Sequence, residues 1–222
     1  MPPTGPLGAE QVTVIQRWIE QGAEWPDELA NEADVPPPNP RAFAMVESLR
    51  RGDRASFMKF VAEDPKLLNA RGPEGSTPFM YAVLYSDAAT LEQFLKKGAD
   101  PNVANDATAT ALMWAATDVA KAGVLLAHGA EVNAVSADFR TPLIIAAGVP
   151  GGAALVKLLL DHGADPNLTT TTSPLVEAAM AGNAESMRLL IARGAATKRF
   201  AAPALVVAAI LTAFFRFRKN GF

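Results

Sequence analysis

Two histidines, three regularly placed carboxylates and one Gly-Gly pair are the groups that could do chemistry here. His128 and His162 offer imidazoles able to ligate a metal or exchange a proton near neutral pH. Asp100, Glu131 and Asp165 could supply acid and base. Gly151-Gly152 could begin a phosphate cradle. Their positions argue against each use. Both histidines stand directly before a glycine, in Ala-His-Gly-Ala and Asp-His-Gly-Ala, and the matching places before Gly98 and Gly194 hold Lys97 and Arg193. A cation that complements the negative end of a helix dipole accounts for all four. The carboxylates recur at one phase of a repeated segment, which marks turn chemistry rather than a catalytic pair. No Gly-Lys-Ser or Gly-Lys-Thr follows Gly151-Gly152, so that pair reads as a loop insertion. The chain has no cysteine, which removes disulfides, thiol nucleophiles and Cys-x-x-Cys-His haem attachment within it. The expectation is a chain that is no enzyme, with no catalytic residue, metal site or cofactor.

Charge narrows the partners. The net charge is −3, which gives no footprint for nucleic acid. The charges are unevenly spread. Glu20, Glu24, Asp27, Glu28, Glu32 and Asp34 lie between Arg17 and Arg41 with no base among them. After Glu185 come Arg188, Arg193, Lys198, Arg199, Arg216, Arg218 and Lys219 with no acid. The plain reading is a solvated linker and a solvated end; the sharper one is a basic end that meets acidic lipid or an acidic partner.

The elements that carry these groups repeat. Gly98-Ala99-Asp100-Pro101-Asn102, Gly129-Ala130-Glu131-Val132-Asn133 and Gly163-Ala164-Asp165-Pro166-Asn167 are copies of one segment. Thr77-Pro78-Phe79, Thr110-Ala111-Leu112, Thr141-Pro142-Leu143 and Ser173-Pro174-Leu175 are copies of another, spaced by 33, 31 and 32 residues. Such a period is the signature of a repeat architecture. The hydroxyls of Thr77, Thr110, Thr141 and Ser173 suit helix N-caps, and the following prolines suit a first helical position. The pairs Ala115-Ala116, Ala146-Ala147 and Ala178-Ala179 let neighbouring helices approach. Phe94-Leu95, Val124-Leu125-Leu126, Val156 with Leu158-Leu159-Leu160, and Met187 with Leu189-Leu190-Ile191 are apolar ladders for the second helices. Gly98, Gly129, Gly163 and Gly194 then supply the left-handed residue that ends each helix.

These motifs resemble ankyrin repeats, over roughly residues 41 to 197. The resemblance implies an all-α solenoid of about five helix-turn-helix units with short hairpin loops, and protein–protein recognition as its role. A degenerate first unit runs from Phe43 to Asn69, and the third unit is short, as if residues were deleted near Val119. The family usually has a histidine where this chain has Met80, Met113, Ile144 and Val176, so apolar packing must replace its hydrogen bonds. In such stacks the hairpin tips and first helices line a concave face. The residue four after the motif hydroxyl points towards it, which is Tyr81, Trp114, Ile145 and Glu177 here. Tyr81 and Trp114 are expected as anchors of a protein partner, or else as packed on each other; Tyr85, Asp118, Asp138, Phe139, Arg140 and Glu177 are expected as contacts beside them. The chain is expected to be a monomer.

The first residues differ. Val12, Ile15, Trp18 and Ile19 share one face of a helix over residues 9 to 21, with Gly22 as its cap and Trp25-Pro26 as its exit. Met1-Pro2-Pro3, Gly5-Pro6-Leu7, Ile15 to Ile19 and Gly22-Ala23-Glu24-Trp25-Pro26 resemble the end of a planctomycete-type c-type cytochrome domain. That resemblance would make Met1 an axial haem ligand, but only in a longer parent protein that carries the haem motif upstream. The alternative function it implies is electron transfer, with the repeats as adaptor.

After residue 197 the repeat pattern gives way to residues 200–215, 16 residues without a charge, flanked by Lys198-Arg199 and Arg216-Phe217-Arg218-Lys219. As a helix this run would reach about 24 Å, short of a comfortable span. It can be a helix that closes the stack, an anchor that contacts a membrane, or a frame-shifted end. The expected organisation is residues 1–32 as a helical appendage, 33–40 as a proline-rich linker, 41–197 as repeats and 198–222 as the apolar helix with its basic flanks. A cytoplasmic location fits the chain as it stands, and a periplasmic or membrane-associated one fits a piece of a secreted cytochrome.

Overall fold

The computed structural model describes residues 9–20, 37–168 and 172–196. By compactness the chain divides into residues 1–36 and 37–222. The first unit contributes one described helix, α1 (Ala9–Glu20), where the apolar spacing predicts it. Met1, the glycine cap, the Trp-Pro exit and residues 33–36 of the linker lie outside the described residues, as do residues 197–222.

The second unit is built of helix pairs, and no strand occurs among the described residues. The pairs are α2 (Pro40–Arg50) with α3 (Arg54–Glu63), α4 (Pro78–Tyr85) with α5 (Ala88–Lys96), and α6 (Ala111–Trp114) with α7 (Val119–Ala127). Then come α8 (Pro142–Gly148) with α9 (Ala153–Asp161), and α10 (Pro174–Met180) with α11 (Ala184–Ala192). The first helices form an inner row, α2 against α4, α4 against α6, α6 against α8 and α8 against α10. The second helices form an outer row in which α5, α7, α9 and α11 pack in succession. One continuous apolar core runs from Met45 to Ala195 between the rows. Each unit therefore closes its core only with its neighbours.

Local chemistry starts and stops the helices as the motifs require. Thr77 Oγ1 accepts from Met80 N at 3.2 Å, Thr141 Oγ1 from Ile144 N at 3.1 Å, and Ser173 Oγ from Val176 N at 3.2 Å. Asp53, Asp87, Asp118 and Asn183 do the same for second helices. Lys97, His128, His162 and Arg193 cap the C-terminal ends of α5, α7, α9 and α11, and each is followed by a glycine at positive φ. The degenerate unit carries the same start signal in another residue: Asn39 Oδ1 accepts from Arg41 N at 2.9 Å and Pro40 follows it. Pro40 is thus the first residue of α2.

One cap is not made. Thr110 Oγ1 is buried without a partner, and α6 has 4 residues against 8 in α4, 7 in α8 and 7 in α10. The missing residues lie between α6 and α7, where the sequence places a deletion. Ala111 also lacks the proline that pre-sets φ in the other inner helices.

The units are tied by asparagines. Asn69 Nδ2 donates to Gly98 O at 2.8 Å while its Oδ1 accepts from Asp100 N at 2.8 Å. Asn102 bridges in the same way to Gly129 O and Glu131 N, Asn133 to Gly163 O and Asp165 N, and Asn167 to Gly194 O and Ala196 N. Each amide satisfies one donor and one acceptor of the next unit's turn, at distances of 2.7 to 3.1 Å. The recurrent carboxylates serve the same turns: Asp100 and Asp165 accept from Asn102 N and Asn167 N, each at 2.8 Å. On the outer row Asp161 pairs with Lys157 at 2.6 Å within α9 and with Arg193 of the next unit. Those two cations hold its carboxyl at a pKa of about 2, below its ordinary 3.8.

Three outcomes follow for stability. Asn133→Ala removes both arms of one bridge and should lower the unfolding free energy by about 1–3 kcal/mol in urea titration. Ala111→Pro should raise it by about 0.4–1 kcal/mol, because Ala111 is a first helical residue and Thr110 is already extended at φ −106° and ψ 167°. The depressed carboxyl of Asp161 contributes stability that is present above about pH 4 and lost as pH falls towards 2, so Asp161→Asn should flatten the pH dependence of the urea midpoint in that window.

Candidate functional site

Residues expected on the inner face divide between two ends of the inner helices. The loops that lead into α4, α6, α8 and α10 lie at the N-terminal end; the turns to the outer helices lie at the other. Asp138, Phe139 and Arg140 belong to the loop before α8, and Tyr85 and Asp118 to the opposite end.

At the centre, three side chains from successive units form one assembly. Arg50, the last residue of α2, donates from Nη2 to Tyr81 Oη at 2.9 Å, and its guanidinium carbon lies 5.0 Å from the Tyr81 ring centroid. Tyr81 meets Trp114 edge to face, with centroids 5.3 Å apart and planes at 82°. Edge-to-face geometry aligns the positive rim of one ring with the negative face of the other. Of the two expectations for Tyr81 and Trp114, the packing of one on the other is present. Tyr81 is buried, and its hydroxyl accepts from Arg50. The spacing from the capping Thr could not show this, because the partner cation comes from the preceding, degenerate unit. Trp114 is half-buried. Its indole N–H meets no acceptor among the described residues, and it is absent from the buried unsatisfied atoms. Trp114 therefore offers an aromatic edge and a donor on a fixed mount.

The loop end carries a second cluster. Ser136 N donates to Arg140 O at 2.9 Å and Arg140 N to Ser136 Oγ at 3.0 Å, which closes the turn. Ser136 Oγ also donates to Asp138. Phe139 is exposed at the tip with φ 61°. Thr108, at the same place in the preceding loop, has φ 51°. Left-handed backbone is uncommon for an aromatic and strained for a β-branched residue, and loops over-determined in this way often serve binding. Arg140 Nη2 lies 3.8 Å from Glu177 Oε1 on α10, and Glu177 also packs on Gly148, where an added Cβ would sit 3.2 Å from Oε2.

Tyr85 and Asp118 have other partners. Tyr85 is exposed, and its carbonyl accepts from Arg54 Nη2 at 2.8 Å. Asp118 Oδ1 caps α7 through Ala120 N at 3.0 Å and Lys121 N at 3.1 Å. Lys121 Nζ in turn donates to Val83 O at 2.7 Å and ties α7 to α4. Asp118 thus caps α7 while part of its side chain stays exposed. Among the described residues no group of three or more His, Asp or Glu side chains is placed to hold a metal ion. His162 Nδ1 lies 2.9 Å from Leu158 O, at its own helix end.

Comparison with known proteins bears on the repeats themselves. The family model described as ankyrin repeats (three copies) matches residues 44–136 and 117–201. A Danio rerio protein named as a palmitoyltransferase is 27% identical over 168 residues, which cover 73% of this chain and 26% of that protein. An Acanthamoeba polyphaga mimivirus protein named as an ankyrin repeat protein is 33% identical over 104 residues, 46% of this chain and 14% of that protein. The chain therefore spans about a quarter and about a seventh of the lengths of these two relatives.

Proposed function

We propose that this chain, which belongs to the ankyrin-repeat family, binds a protein partner across its inner helices with Trp114 as the anchor. Repeats of this family are generally protein-binding modules. The observation that carries the finer reading is the Arg50–Tyr81–Trp114 assembly. A half-buried Trp held by a buried Tyr, itself held by a cation, loses little side-chain freedom on binding. Trp, Tyr and Arg are also the types that dominate interface energetics. Phe139 and Arg140 on the loop extend the surface at one end and Tyr85 at the other. Asp118, Asp138 and Glu177 set the charge around it.

In this reading the chain is a monomeric adaptor without a reaction of its own, and the activity named for the Danio rerio relative stays with that protein. Its organisation is proposed as residues 1–32, 33–40, 41–197 and 198–222. No helix among the described residues is long and apolar enough to cross a membrane. A second reading couples the repeats to an electron-transfer domain. It is favoured by the cytochrome-like residues around α1, and haem uptake by a longer reading frame would test it.

For the binding role, a photoreactive benzoylphenylalanine in place of Tyr85 should capture a partner that the same group in place of Met58, exposed on α3, does not. That partner should bind Trp114→Ala at least about tenfold more weakly, about 1.4 kcal/mol, when both proteins are compared under conditions where circular dichroism shows them folded. Equal affinity for the two proteins would remove Trp114 as anchor.

A further inference from the structure

Two arginines beside the Tyr81–Trp114 pair are held by neutral groups only. Arg50 closes α2 and Arg54 opens α3, so both side chains leave the first helix pair at one turn. Both reach α4. Arg50 Nη2 donates to Tyr81 Oη at 2.9 Å, and Arg54 Nη2 donates to the Tyr85 carbonyl at 2.8 Å. Residues 81 and 85 stand one helical turn apart, on one side of α4. Neither arginine forms an ion pair with a described carboxylate. A guanidinium has five N–H donors in a planar fork, and most of each fork stays open on an exposed side chain.

The carboxylates of this region are committed elsewhere. Glu47 pairs with Arg51 at 3.0 Å. Asp53 and Asp87 cap α3 and α5, accepting from Ser56 N at 3.0 Å and from Thr90 N at 2.8 Å. Arg54 also helps to lower the Asp87 carboxyl, after the Thr90 hydrogen bonds, without pairing with it. Asp118 caps α7 with Lys121 Nζ at 3.8 Å, and Glu177 has Arg140 at the same distance. The groups beside Trp114 with open hydrogen-bonding capacity are therefore cationic.

We propose that the protein partner presents a linear acidic segment. Its carboxylates pair with Arg50 and Arg54, while an apolar side chain two or three residues away packs on Trp114. This rests on Trp114 as the anchor. The spacing follows from Tyr81, whose ring centroid lies 5.0 Å from the Arg50 guanidinium carbon and 5.3 Å from the Trp114 centroid. An extended segment rises about 3.4 Å per residue, so side chains that far apart in sequence reach both groups. A carboxylate suits a guanidinium because the fork donates to both oxygens in parallel, and such charge-assisted bonds are about twice as strong as neutral ones. Leu84 and Tyr85, exposed at the end of α4, offer apolar contact beside Arg54.

A display library of random linear peptides, selected on the full chain, tests this. Enriched peptides should carry Asp or Glu two or three residues from Trp, Phe or Leu. Exchange of that carboxylate for its amide should weaken binding roughly tenfold. The same exchange should cost nothing against a chain carrying Arg50→Gln and Arg54→Gln, shown folded by circular dichroism. An equal cost against both chains would overturn the pairing. Enrichment of basic or neutral peptides that lose affinity for Trp114→Ala would overturn the acidic partner and leave the anchor standing. Acidic peptides that bind Trp114→Ala as tightly as the native chain would remove the anchor itself, and with it the spacing drawn here. A library that yields no enriched peptide would overturn the linear segment.

Discussion

A single amide on each turn holds the register of this molecule. An asparagine carries a donor and an acceptor side by side, and so does the turn of the next unit, which offers a glycine carbonyl and a backbone N–H two residues on. Asn69, Asn102, Asn133 and Asn167 each join these two groups. Aspartate would lack the donor, and glutamine would place its amide one carbon further out. Apolar packing brings the helices together but is non-directional. The bridge adds direction, so that each unit sits at one rotation relative to the last.

That register is what lets side chains from three units cooperate. Arg50, Tyr81 and Trp114 lie on three different inner helices, and their 5.0 Å and 5.3 Å contacts exist only if those helices are correctly phased. The geometry of this assembly therefore depends on turn chemistry distant from it. The same logic relates the loop residues. Arg140 reaches Glu177 of the following unit, so the charge around the tip of one loop is set by its neighbour's helix.

The fold was legible because its determinants are local and periodic. Hydroxyl and proline at helix starts, glycine at helix ends and alanine pairs at helix contacts can be read from one residue and its neighbours. The exceptions were places where another residue type did the same work. Asn39 caps α2 in place of a threonine, so the first helix begins three residues earlier than Phe43 suggested. The site was less legible, because burial depends on residues distant in sequence. Nothing near Tyr81 announces that Arg50 will take its hydroxyl. That Asp118 also caps the first turn of α7 shows only once the helix start is placed. The asparagines were visible as a repeated letter, but their two-sided bonding appears only when successive turns stand side by side.

The shortened α6 gives the array a fault line. In a linear stack, stability is passed between nearest neighbours, and opening begins where a unit is weakest within itself. The unit of α6 has the fewest helical turns and an unsatisfied hydroxyl at Thr110, and it also carries Trp114 at its end. A protein that clasps Trp114 while resting on the units either side would act as a splint across this joint. Recognition would then stiffen the stacked repeats, and fluctuations that part the units on either side of α6 would be quenched by the act of docking.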